Sequence, residues 1–193
     1  TPLYSSAASD VYKRQTLDYT TGTSATTVAY GTTGAGAVTG TSGGGTINWA
    51  NGVTASATDR ALGFLSTGAF SSPRDILVEI VNTGSSNITD LTITFDYEKY
   101  RSGTRAFNLT FFHGSVATNI NTAATTGDQA YAADGANAVV NPPTTINKAV
   151  TLTGLSIAPA STYYLRWRYT GLGGSTNAPV SYTHLRAHET VLD

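Results

Sequence analysis

The side chains able to do chemistry are few, and the first question is whether any of them form a set. His184 and His188 stand four apart with Glu189 beside them. On a helix that spacing puts two imidazoles on one face, as a zinc site requires. His113, the remaining histidine, would have to serve any serine-histidine-aspartate arrangement, but no G-x-S-x-G elbow accompanies it. Acid-base cleavage of a glycoside would need a carboxylate pair drawn from Glu79, Asp90, Asp96 and Glu98. These occupy strand positions where outward charges are ordinary. Asp128 and Asp134 offer the oxygen ligands that calcium prefers, without D-x-D-x-D spacing. The reading is therefore a non-enzymatic chain with no catalytic residues and no cofactor, calcium at Asp128 and Asp134 being a weak candidate.

Two further groups could carry recognition or modification. Asn87-Ile88-Thr89 and Asn108-Leu109-Thr110 are N-x-S/T sequons, so Asn87 and Asn108 are candidate glycosylation sites, Asn87 at a turn and Asn108 pointing away from the core. Trp49, Tyr164 and Tyr169 are candidate platforms for stacking on sugar rings. Aromatics at alternating strand positions are more often core.

Composition narrows the classes of partner. In 193 residues, eleven Lys and Arg are scattered among twelve acids, for a net charge of -1, so no basic face points to nucleic acid. With no cysteine, neither a disulfide framework nor a thiolate metal site is available. No apolar run is long enough to span a bilayer as a helix. A Thr-, Gly- and Asn-rich, Lys-poor chain is what secreted bacterial surface proteins often look like.

The elements that must position these residues read as strands. Ile76, Val78 and Ile80 share one face of a first run, and Leu91, Ile93, Phe95 and Tyr97 one face of a second. Asn82, Gly84 and Asn87 between them supply turn chemistry, so residues 76–101 read as a hairpin with one buried face. Further strands are expected at 46–49, 60–65, 105–113, 148–155 and 162–169. Residues 114–147, with Pro142-Pro143, read as a long surface connection with a short strand near 138–140. The fold class is all-β: a single antiparallel β-sandwich, jelly-roll-like, of about seven to nine strands. Residues 16–45, rich in Thr and Gly, read as a first strand or extended N-terminal arm able to add to a neighbour's sheet, ahead of a sandwich domain at 46–179.

The two ends read differently. Residues 5–15 (SSAASDVYKRQ) and 180–190 (VSYTHLRAHET) resemble translated sequencing adapter. One codon choice for residues 10–15 contains the reverse complement of one for residues 180–184, a relation unrelated peptides would not share. Residues 1–15 and 180–193 are accordingly read as adapter-derived and non-native, which would deprive His184, His188 and Glu189 of a biological role.

The segments DRALGF (59–64), IVNTGSSNITDLTITFDYEKYR (80–101) and LTGLSIAPASTYYLRWR (152–168) together resemble a β-sandwich module of secreted and surface proteins from environmental bacteria. The likeness departs in two places: Tyr100 stands where Trp is common, and the usual strand after the LRW segment is missing. The resemblance implies fold and location, extracellular or cell-surface, rather than chemistry. Glu98, Arg101 and Arg166 recur together in that pattern. A carboxylate with guanidinium groups near strand ends suggests a partly buried bidentate ion pair tying strands together. Two functions follow as expectations: a self-assembling subunit of an extracellular fibre or surface layer, joined to copies of itself through sheet edges and the arm, or a carbohydrate-binding or adhesive module of a larger secreted protein.

Overall fold

In a computed structural model of the chain, the described residues are 16–18, 23–24, 45–50, 60–65, 73–101, 103, 105–134, 139–171 and 181–186. They form twelve strands: β1 Thr16–Asp18, β2 Thr23–Ser24, β3 Gly45–Ala50, β4 Arg60–Leu65, β5 Arg74–Val81, β6 Leu91–Arg101, β7 Phe107–Gly114, β8 Thr122–Ala123, β9 Gln129–Tyr131, β10 Val139–Leu152, β11 Thr162–Gly171 and β12 Ser181–Arg186. A single 3-10 turn, Thr125–Gly127, is the helical element among them. All pairings are antiparallel. One sheet runs β2-β1-β5-β11-β7-β8, with β9 also on β7, and the other runs β10-β6-β12-β4-β3. The all-β sandwich expected from alternation is the fold observed. The strand number exceeds expectation because β1, β2, β8 and β9 are two- or three-residue pieces too short to show periodicity.

Alternation places the core between the two sheets. Leu91, Ile93, Phe95 and Tyr97 of β6 face Leu165, Trp167 and Tyr169 of β11 and Leu109 and Phe111 of β7, all buried. Phe95 is the centre of this layer. Its ring meets Trp167 edge-on at 5.3 Å, Tyr97 edge-on at 5.1 Å and Phe111 at 5.4 Å, the tilted arrangements aromatic quadrupoles favour. Each such side chain contributes about 1.5–3 kcal/mol by leaving water. The Tyr97 hydroxyl, buried with the ring, donates to the Gly127 carbonyl at 2.9 Å, so its polar end is satisfied. Burial holds that phenol protonated well above its ordinary range.

Residues 76–101 are not a hairpin. β5 pairs with β1 and β11, whereas β6 pairs with β10 and β12, so the chain arches from one sheet to the other. Two strands with apolar faces can bury them by facing each other across the core as well as by lying side by side. The nine-residue connection, 82–90, is long enough for the first solution. Its corner is fixed by Asn82, buried, whose Nδ2 donates to the Ile157 carbonyl at 2.7 Å and the Ser86 carbonyl at 2.8 Å. An Ile88–Ile157 bridge closes it.

The long connection is also shorter than expected. β10 begins at Val139 and runs through Pro142-Pro143 to Leu152, with its register against β6 shifting between Val139 and Thr144. Proline has no N–H for the ladder, so it sits in an edge strand at an irregularity. Asp128 fastens the connection to the body: its Oδ1 accepts from the Phe111 N–H at 2.8 Å. Residues 16–18 of the expected arm lie on the chain's own sheet edge, with Leu17 opposite Asp75.

Candidate functional site

A group of polar side chains among the described residues gathers on the outer face of the sheet that contains β5, β11 and β7. On β11, Tyr163, Leu165, Trp167 and Tyr169 enter the core, so Tyr164, Arg166 and Arg168 stand on the opposite face. Cross-strand register sets their neighbours: Glu79 and Gly114 flank Tyr164, Leu77 and Phe112 flank Arg166, and Asp75 and Thr110 flank Arg168.

The strongest contact on this face is an ion pair. Arg168 grips Asp75 with two hydrogen bonds, Nε to Oδ1 at 2.8 Å and Nη2 to Oδ2 at 2.9 Å, the fork geometry that guanidinium and carboxylate share. Arg166 Nε stands 4.0 Å from the same carboxylate. Arg166 also lies over the Phe112 ring at 4.2 Å and donates from Nη2 to Asn121 Oδ1 at 3.1 Å. Asp75 is 1% and Arg166 2% exposed, so this polar layer is under cover although it lies outside the main core.

Of the ion pair expected at Glu98, Arg101 and Arg166, parity separates Glu98 from Arg166. Tyr97 points into the core, so Glu98 points out of its sheet; Arg166 points out of the other sheet. Glu98 and Arg166 are therefore on opposite outer faces of the sandwich, with the aromatic core between them. The side chain of Arg101 lies outside the described residues. A bidentate strand-to-strand ion pair is present, but its members are Asp75 and Arg168, which sequence reasoning missed. Both occupy outward positions of runs that alternate, and that was the available signal.

The remaining candidates separate in the same way. Tyr169 is 1% exposed, packed beside Phe107 at 5.6 Å and Phe64 at 6.2 Å, and is a core residue rather than a sugar platform. The side chain of Trp49 lies outside the described residues. Tyr164 is half-buried on the outer face, with Glu79, also half-buried, directly opposite it. Asn87 is exposed in the arch, and Asn108 is half-buried within β7, outward as expected and paired on both sides by β11 and β9.

Asp128 and Asp134 have separate structural engagements, the first with the Phe111 amide and the second with Lys99 Nζ at 3.0 Å. Among the described residues no three His, Cys, Asp or Glu gather into a metal-binding group. His113 Nδ1 lies 2.6 Å from the Tyr163 hydroxyl, and burial lowers the histidine's pKa and raises the tyrosine's. His184 lies in β12, a strand, so the helical spacing to His188 does not apply; residues 188 and 189 lie outside the described residues. No helix among the described residues is long and apolar enough to cross a membrane.

No protein-family model matches the chain, and no curated protein does. Among solved structures it is similar to the K3 cleaved adhesin domain of Lys-gingipain from Porphyromonas gingivalis W83, with a TM-score of 0.38 and 17% identity, over 64% of this chain and 72% of that one. At that TM-score the likeness carries no argument about function.

Proposed function

We propose that the chain is a non-enzymatic binding module of an extracellular or cell-surface protein, and that it engages glycans through the outer face of the β5-β11-β7 sheet. The observation that carries this reading is the Glu79–Tyr164 pair. A half-exposed ring beside a carboxylate offers an apolar plane and a hydrogen-bond acceptor to the alternating C–H and O–H surface of a sugar. Farther along the same face, the Arg168–Asp75 ion pair, with Arg166 beside it, ties β11 to β5. The titratable groups one would recruit for catalysis or calcium are spent on structural contacts: Asp128 on an amide, Asp134 on Lys99 and His113 on Tyr163.

The test is a glycan array and a pull-down on insoluble polysaccharides with the full chain and with Tyr164→Ala. A binding aromatic at the centre of a contact costs about 2 kcal/mol or more on truncation, roughly a thirtyfold weaker Kd. Retention on no glycan, or equal retention by Tyr164→Ala, defeats the reading.

A second reading is self-assembly by strand exchange through the other sheet. The 181–186 strand lies inside it, between β6 and β4, rather than at an edge. Two features expected to serve assembly have other uses. β1 lies on the chain's own β5, and the β10 edge carries Pro142, Pro143 and Lys148, which discourage edge-to-edge pairing.

A further inference from the structure

Apolar surface and charge are divided unevenly along the outer face of the β5-β11-β7 sheet. Glu79 and Gly114 lie on either side of Tyr164, and directly opposed side chains of antiparallel strands have Cβ atoms about 4.5–5.5 Å apart. Val81, opposite Thr162, shares that face one row farther along β5 and stands diagonal to Tyr164. On the β7 side the chain turns back over Gly114: a Cβ there would lie 2.9 Å from the Asn119 carbonyl oxygen and 3.2 Å from Ile120 Cα. The Asn119 N–H donates to the Val116 carbonyl at 2.9 Å, which closes that turn. Val81 and Val116, 39% and 52% exposed, are the exposed large apolar side chains among the described residues. Both belong to the Tyr164 end of the face, one on each side of the ring.

The charges sort the other way. Asp75, Arg166 and Arg168 are engaged with one another farther along, and Arg166 also with Phe112 and Asn121. Arg166, in the row next to Tyr164, is 2% exposed, so its charge is sheltered from a ligand. Glu79 is half-buried and has neither an ion pair nor a hydrogen bond among the described residues. An ionised carboxylate only accepts hydrogen bonds, so it selects a donor. A charged donor binds it more strongly than a hydroxyl does, and a cation beside an aromatic face gains again from the ring. The row of Glu79, Tyr164 and Gly114 has no cation to hold a uronate or a sulfate.

We propose that the Glu79–Tyr164 site takes amino sugars with a free amine: a hexosamine polymer whose unacetylated ammonium group pairs with Glu79 while the C–H face of the ring lies on Tyr164 between Val81 and Val116. The apolar strip makes the ligand a sugar ring rather than a bare cation, and the unpaired carboxylate makes it a cationic sugar. The proposal rests on the glycan reading and deepens it by naming the class of sugar.

The test measures Kd by calorimetry for the full chain with three oligosaccharides of equal length: a glucosamine oligomer, in a buffer that keeps its amines protonated, its N-acetylated counterpart, and a uronic acid oligomer. The glucosamine oligomer is expected to bind about threefold to fivefold more tightly than the acetylated one at low salt, the scale of a solvent-bathed ion pair, and the uronic acid oligomer more weakly than either. Near 1 M salt the ratio should fall toward one. The ratio should also fall to about one in Glu79→Gln, whatever that change does to the absolute affinities. Asp96→Asn makes the same change of charge on the opposite outer face of the sandwich and should keep the ratio. A wild-type ratio of one or less, or a preference for the uronic acid oligomer, overturns the proposal and leaves the glycan reading standing. A preference that survives in Glu79→Gln, or is lost equally in Asp96→Asn, overturns it by showing attraction to the protein's overall charge. Binding of none of the three, with no other glycan retained, overturns both.

Discussion

Replacing Asp75 by Asn tests whether the polar layer holds β5 to β11 or merely decorates the sheet. The change keeps size and one acceptor oxygen while removing the charge. Removing one partner from a fully buried ion pair costs about 3–5 kcal/mol, whereas exposed pairs are worth about 0–1 kcal/mol. Asp75 is 1% exposed but the Arg168 side chain is 24% exposed, so Arg168 can recover some hydration when its partner is lost. Arg166, 2% exposed and 4.0 Å from the same carboxylate, cannot. The expected cost is therefore at the lower end of the buried range, about 3 kcal/mol, or a midpoint lower by about 6–12 °C for a domain of this size. Arg168→Met keeps the apolar stem and leaves Asp75 with Arg166, so it should cost less, about 2 kcal/mol. Urea denaturation of the two single variants and the double variant measures the coupling, expected at about 1–2 kcal/mol. A cost below about 0.5 kcal/mol for Asp75→Asn, or strictly additive single costs, would refute the buried-layer argument.

Three further outcomes follow from buried groups. The folded pKa of His113 is lowered by burial, so the unfolded chain takes up its proton first as pH falls; its contribution to stability erodes from about pH 6.5 downward. The Tyr163 pKa is raised, so the unfolded chain loses its proton first as pH climbs, and stability erodes above about pH 10. An NMR titration of the His113 ring giving a value at or above 6.5 contradicts the acid limb. At Gly127 an added Cβ would lie 2.8 Å from Phe111 Cβ and 3.0 Å from its ring, so Gly127→Ala should cost about 1–3 kcal/mol and perturb the Tyr97 hydroxyl bond to the same residue. A thermal midpoint within about 1 °C of wild type would show that Phe111 can yield.

Period-2 alternation in residues 76–81, 91–97 and 162–169 was sufficient to identify strands, their buried faces and an all-β sandwich, because side-chain direction in a strand follows from sequence position alone. It also revealed the core: Phe95, Tyr97, Phe111 and Trp167 are where alternation puts them. What alternation cannot specify is which strand lies beside which. β5 and β6 look the same as a hairpin or as an arch across the core, and the nine residues between them permit both; long-range pairing with β11 and β10 decided. The same limit governed the polar residues. Glu98 and Arg166 both occupy outward positions, but only the two-sheet arrangement makes "outward" mean opposite directions for them and the same direction for Asp75 and Arg168. Tyr164 and Tyr169 differ by an odd number of positions, so the sequence required them to face opposite ways; burial against Phe64 and Phe107 determined which one lies inside.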